Sequence, residues 1–391
     1  MRKLRRTKNA VLRRLIGALC VPLLLAAPLE ATFAADILQK GVFEPIRRAP
    51  SEPGANAFAR FNRDEQGHSL TNSYLLAMVS HYLYPHAYDP NTGNDFAWFR
   101  NLAKAKFELW GMKRIDIESE GNVQYVVMSD DHIVIVGFRG SDAFLHMDAI
   151  DDWIRADAMA TQSKVSTWGT VAYQSTDLFG RQITVQKEPG VHTGIRNAYW
   201  KVRQRINNLI LAHDGRTKKL FFTGHSLGAG LATLAAIDQG FARDRSSSRR
   251  FVAQGVYTYG GPRVGNGIFK RLYDSKRSAG GARALNTHRY VNFDDLVAMV
   301  PGDTLLDDAM YVPPTLYGLG EPHDNVKYIH VGRTCNIRQN GTIARDSAEY
   351  RGIGSILSHH SSLYAHHIYQ AHVAGQSWAS RMPPPPAPTA L

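Results

Sequence analysis

Cysteine is almost missing from this chain: 391 residues hold two, Cys20 and Cys335. So small a number excludes the disulfide frameworks that hold short secreted domains together, and stability must come from a buried core. The 44% of residues that are hydrophobic are enough to build one. Acidic residues are missing from the first 14 positions, which carry seven basic ones (Arg2, Lys3, Arg5, Arg6, Lys8, Arg13, Arg14). An apolar run from Leu15 to Pro28 follows, then the small-residue exit Ala31-Thr32-Phe33-Ala34. That order is the layout of a secretory signal peptide, with cleavage expected after Ala34. The apolar run is short for a membrane span and no second one follows, so the mature chain is expected to be soluble. Cys20 follows Leu19 instead of a small residue, which disfavours a lipoprotein anchor. Its removal with residues 1–34 leaves Cys335 without an internal disulfide partner, and it reads as a structural residue.

The chain also lacks the marks of nucleic-acid binding. Its formal charge is +12, of which the leader contributes seven bases and one acid, Glu30, leaving a modest +6. No basic helix is interleaved with aromatics, and no nucleic-acid motif is present. A mild positive field suits anionic lipid surfaces, and it equally serves plain solubility. No sequence motif calls for a cofactor. The histidine-rich segment 355–376 has no carboxylate and no His pair at i,i+4 spacing, so a metal site is not expected there.

What the sequence does contain is Gly224-His225-Ser226-Leu227-Gly228, a G-x-S-x-G pattern. Leu220–Thr223 before it reads as a short apolar strand, and Leu227 onward (LGAGLATLAAI) reads as a helix. Between a strand and a helix this pattern makes a tight turn that exposes the serine hydroxyl as a nucleophile, with glycines where a side chain would clash. Further helices are expected over 70–83, 95–109 and 194–212. Further strands are expected over 123–128, 132–138, 251–259 and 288–293. Their alternation is the α/β signature. One domain over 60–376 is the economical reading. An N-terminal extension (35–59) precedes it and a Pro-rich tail (377–391) follows, and irregular insertions are expected at 160–190 and 302–350.

A nucleophilic serine needs a base and a group that orients the base. In α/β-hydrolase chemistry an acid and then a histidine follow the serine along the chain. Asp294 and Asp295 come directly after the strand ending at Phe293, and several histidines lie in 358–372.

Several blocks, in order, resemble the class 3 lipases: Phe138-Arg139-Gly140-Ser141 with a later Trp153, Val191-His192-Thr193-Gly194, the GHSLG elbow, and Tyr259-Gly260-Gly261-Pro262-Arg263-Val264-Gly265-Asn266. The resemblance runs from about Leu70 to Tyr369. It implies the α/β-hydrolase fold, with a mostly parallel central sheet flanked by helices, and hydrolysis of carboxylic esters of lipids at a lipid–water interface. It also implies that no cofactor is needed. The family's N-x-x-D-x-V pattern falls on Asn292 to Val297, which selects Asp295 over Asp294, while Ala298 stands where the family usually has proline. Ser355-Ile356-Leu357-Ser358-His359 is similar to the family's histidine block, so His359 is the first candidate base, with His360 and His366 as alternatives. The implied oxyanion donors are the backbone N–H groups of Leu227 and Ser141. The implied lid, a short amphipathic segment over the serine, falls at 142–152 and carries Phe144, Leu145, Met147 and Ile150. The resemblance implies a triacylglycerol-lipase-like enzyme, with a phospholipase A1 or esterase of the same fold as alternatives. A non-catalytic relative that uses the fold as a binding platform is the competing reading from another class. The Ser-Asp-His order argues against it.

Overall fold

The computed structural model describes residues 53–65, 67–85, 96–141, 161–176, 179–241, 253–276, 285–292, 295–299, 301, 328–338, 343–345, 364–365 and 367–369. In chain order these form helices α1 (Leu70–His81) and α2 (Phe96–Leu109), then strands β1 (Arg114–Glu120), β2 (Val123–Ser129) and β3 (Ile133–Phe138). Next come β4 (Gln162–Lys164), β5 (Val171–Thr176), β6 (Gln182–Lys187), β7 (Gly190–His192), α3 (Thr193–Ala212), β8 (Lys219–His225) and α4 (Leu227–Gln239). The last elements are β9 (Ala253–Tyr259), β10 (Gly265–Asn266), α5 (Gly267–Asp274), β11 (Thr287–Asn292), β12 (Tyr328–Ile329), β13 (Arg333–Ile337) and β14 (Ile343–Arg345).

Eight strands form the central sheet, in the order β1-β2-β3-β8-β9-β11-β13-β14. The five strands β3, β8, β9, β11 and β13 run parallel to one another. β1, β2 and β14 pair antiparallel at the two edges. A parallel sheet of this kind is covered by helices on both faces, so its strands are apolar on both sides. β3 illustrates the rule. Val134, Val136 and Phe138 join the core beneath α3 and α4, while Ile133 and Ile135 join the core beneath α1 and α2. The fold is the α/β-hydrolase arrangement, and the G-x-S-x-G pattern forms a strand-to-helix turn between β8 and α4.

Described parts of both stretches expected to be irregular form strands. In 160–190 an exposed hairpin pairs β5 with β6, and β4 pairs with β7. In 302–350, β13 is an inner parallel strand of the main sheet. Its sequence, RTCNI, is short and half polar and carries no alternating signal, so only its pairing with β11 makes it a strand. β1 was likewise not anticipated.

Asp238, fully buried on α4, holds the helix layer together. It accepts hydrogen bonds from Trp168 Nε1 (3.0 Å), Tyr199 Oη (2.9 Å) and both Arg203 Nε (2.6 Å) and Nη2 (3.0 Å). A buried carboxylate is tolerable only with such a full set of donors.

Candidate active site

β8 delivers Ser226 at its carboxyl end, and α4 starts at the next residue. The Ser226 backbone has φ 59° and ψ −131°, outside the regions an L side chain ordinarily occupies. Among the described non-glycine residues only Asn56 and Asp214 share a positive φ, and both types accept left-handed backbone readily. Such a conformation costs about 1–3 kcal/mol and persists only where its surroundings enforce it. Here the Ser226 N–H donates to the Tyr259 carbonyl on the neighbouring strand (2.9 Å), and the Ser226 carbonyl accepts from Ala229 N–H (2.9 Å). Close approach explains the flanking glycines. A Cβ on Gly224 would overlap the Gly228 carbonyl, and one on Gly228 would overlap the Phe138 carbonyl at the end of β3.

The strand next door brings the Phe138–Ser141 block to the same place. Phe138 pairs in register with Gly224, so residues 139–141 leave the sheet beside the turn. A Cβ on Gly140 would sit 2.8 Å from Ser226 Cβ, so the Gly140 backbone and Ser226 are in contact there. Gly140 N–H donates to Tyr84 Oη (3.0 Å), and the same hydroxyl lies 2.9 Å from His225 Nδ1. Tyr84 thus ties the 139–141 segment to His225, the residue before Ser226, a role with no sequence signal. The Leu227 N–H lies in the first turn of α4, where an amide has no partner inside the helix and the helix dipole favours negative charge.

Asp295 follows β11, two strands from β8 in the sheet, and is fully buried. Its Oδ1 accepts the Val297 N–H (2.9 Å), which closes a short turn, and its Oδ2 accepts the Tyr364 hydroxyl. The Tyr364 oxygen in turn accepts the Asn292 N–H (3.0 Å), and its ring lies 5.8 Å from the His225 ring. One tyrosine side chain therefore touches both the acid's loop and the residue before Ser226, so the two candidates stand at the same end of the sheet. That end, outside the carboxyl termini of parallel strands, is where open α/β sheets place their ligands. Burial, and then the Asp295 charge, push the Tyr364 phenol well above its ordinary range, which keeps it a neutral donor. His330 Nε2 donates to the Ala298 carbonyl (2.6 Å) and holds the far side of the Asp295 turn.

The candidate bases His359, His360 and His366 lie outside the described residues, as do Asp294, Trp153 and the 142–152 segment. Tyr364, five residues beyond His359, is the nearest described anchor of that region. A small cavity lined by Thr233, Thr258, Arg289 and His330, among others, includes none of Ser226, Asp295, Ser141 or Leu227.

Comparison with known proteins finds similarity to lipases and phospholipases. A sequence model described as Lipase (class 3) matches residues 135–305, which contain the Phe138–Ser141 block, the elbow and Asp295. A chloroplastic phospholipase A(1) of Arabidopsis thaliana is 30% identical over 172 residues, covering 44% of this chain and 34% of that protein. A secreted mono- and diacylglycerol lipase of Fusarium solani is 34% identical over 117 residues, covering 29% of this chain and 30% of its own length. The chain thus matches about a third of the length of each. Among solved structures, a lipase from Rhizopus microsporus var. chinensis aligns with 82% of this chain and 96% of its own, at 19% identity and a TM-score of 0.44. Residues 135–305, the segment carrying the elbow and the acid, belong to the class 3 lipase family.

Proposed function

We propose that the protein is an exported serine hydrolase that cleaves acyl esters of lipids through an acyl-enzyme on Ser226. The observation that carries this reading is the strained Ser226 backbone at the strand-to-helix turn, maintained at an energetic cost that a purely structural serine would not need. A serine hydroxyl is a weak nucleophile until a base removes its proton, and His359 is the assigned base. Asp295, buried and held by Val297 N–H and Tyr364, orients the imidazole and stabilises its protonated form. As the hydroxyl oxygen bonds to the carbonyl carbon, negative charge collects on the carbonyl oxygen. The N–H groups of Leu227 and Ser141 are assigned to receive it, each donor worth roughly 3 kcal/mol in the transition state. The imidazolium then returns its proton to the departing alcohol. Water, activated by the same base, releases the fatty acid and restores Ser226.

The substrate class comes from the relatives, whose names specify phospholipase A(1) and mono- and diacylglycerol lipase activity. Purified protein assayed against triacyl-, diacyl- and phospho-glycerides of graded chain length, with Ser226→Ala in parallel, tests the reading. The expected outcome is hydrolysis of at least one class by the wild type and a loss of several orders of magnitude in the variant. Wild type inactive on all of them, or a variant within tenfold of it, would contradict the proposal. Export is tested by N-terminal sequencing of the secreted or periplasmic protein, with residue 35 expected first.

A further inference from the structure

We propose that His68, His288 and Cys335 form a binding site for a zinc-type cation, on the opposite face of the sheet from the nucleophile helix and independent of the hydrolase reading. The three residues are far apart in sequence, and the sheet brings them together. β11 and β13 run parallel with Tyr290 opposite Cys335, and His288, two residues before Tyr290, points to the same face. His68 lies in the segment entering α1, with its ring centroid 5.1 Å from that of His288 and 6.1 Å from that of Tyr290. One ring nitrogen of each histidine and Cys335 Sγ lie within 4.8 Å of one another. In a tetrahedral zinc site, bonds of about 2.0–2.3 Å set ligand atoms some 3.3–3.8 Å apart, so closure of about 1 Å would bring these three ligands to the metal, with water in the fourth position.

The hydrogen bonds around the two rings already place their protons as a metal site requires. His288 Nε2 donates to the Gly67 carbonyl (2.8 Å), leaving the lone pair on Nδ1. His288 is fully buried, and its Nδ1 has no hydrogen-bond partner among the described residues, a costly state that a cation would relieve. For His68 the assignment follows a chain of donors. Ser73 Oγ donates to the Ser69 carbonyl (2.7 Å), so it accepts from Tyr290 Oη (2.5 Å). The Tyr290 oxygen therefore accepts the proton of His68 Nε2 (2.5 Å), and the lone pair of that ring falls on Nδ1. His288 thus has the arrangement typical of a ligating histidine, with one ring nitrogen donating to a carbonyl and the other without a hydrogen-bond partner among the described residues.

Charge and access fit as well. A thiolate at Cys335 supplies one negative charge. His288 and Cys335 are buried while His68 is only partly so, which leaves an approach past the His68 ring. Two imidazoles and a thiolate select zinc over magnesium or calcium, which take oxygen ligands.

The test is metal loading of the mature protein after chelator stripping, with zinc chloride for stoichiometry and cobalt chloride for spectroscopy. The proposal expects one zinc per chain retained through dialysis. It also expects a thiolate-to-cobalt charge-transfer band with visible bands of tetrahedral intensity, and a higher thermal midpoint with zinc present. In Cys335→Ala the charge-transfer band and the zinc-induced thermal shift should vanish while the circular dichroism spectrum stays native. In His288→Gln zinc affinity should fall by about 100-fold or more. No retained zinc in the wild type, a cobalt spectrum lacking the thiolate band, or zinc held equally well by Cys335→Ala would each overturn it. Cys335→Ala removes only a sulfur atom, so the test stands even if His288→Gln fails to fold.

Discussion

At the scale of single residues, Ser226 and Asp295 stand or fall by different contacts. Asp295 has one carboxylate oxygen committed to its own turn and the other to Tyr364. Asp295→Asn keeps the shape and removes the charge, and kcat is expected to fall by about 10⁴-fold, the magnitude typical when a triad acid is neutralised. Asp294→Asn should stay near wild type. Tyr364 is a positioning residue. Tyr364→Phe keeps the ring against His225 and deletes the hydroxyl that links Asp295 to Asn292, so kcat is expected to drop by roughly 10–100-fold with KM little changed. A merely structural tyrosine would instead lower the thermal midpoint and leave kcat per folded molecule intact. Tyr364 and Tyr84 could not be found from the sequence because each acts through contacts with residues far away in the chain. Tyr84 meets Gly140 and His225, and Tyr364 meets Asp295 and Asn292. Ser226 could be found because everything that makes it special (two glycines, a preceding strand and a following small-residue helix) lies within a dozen residues of it.

Elements place these residues, and two are open to direct tests. α4 carries the elbow and is anchored by Asp238. Asp238→Ala strands Trp168 Nε1 and the Tyr199 hydroxyl in the core and breaks the bidentate Arg203 pair, whose guanidinium is one-third exposed. The expected loss is about 2–4 kcal/mol of unfolding free energy by denaturant titration. The turn bearing Asp295 is anchored by His330. Burial, then the positive charges of Arg289 and Arg263, hold the His330 imidazole well below its ordinary range, while its Nε2–H bond to Ala298 opposes them. The unfolded chain binds a proton at His330 near pH 6.5 and the native protein does not. This residue therefore makes no pH-dependent contribution above that pH, and it destabilises the fold progressively as the pH falls below it. His330→Gln should flatten the fall in thermal midpoint between pH 7 and pH 5. An unchanged slope would remove His330 from the account. The central strands were legible because strands apolar on both faces, such as IVIVGF and LFFTGH, announce a buried parallel sheet. β13 and the β5–β6 hairpin were not. Their residues take strand form from the partner strand, and a pattern search sees only short polar segments.

For the whole molecule, the parallel sheet explains why residues from four separate parts of the chain meet. β3, β8 and β11 all end on one edge, so Gly140, Ser226 and Asp295 arrive together, and the C-terminal segment adds Tyr364 across them. The same sheet gathers His68, His288 and Cys335 on its other face, a cluster that no spacing rule would reveal. The central claim is that Ser226 is the nucleophile this edge was built to present. A fluorophosphonate that reacts only with activated serines, followed by peptide mass spectrometry of the full-length protein, tests it most directly. The account predicts one label per chain, on the peptide containing Ser226, and none on folded Ser226→Ala. Label on a different serine, or a wild type that stays unlabelled while hydrolysing ester, would contradict it.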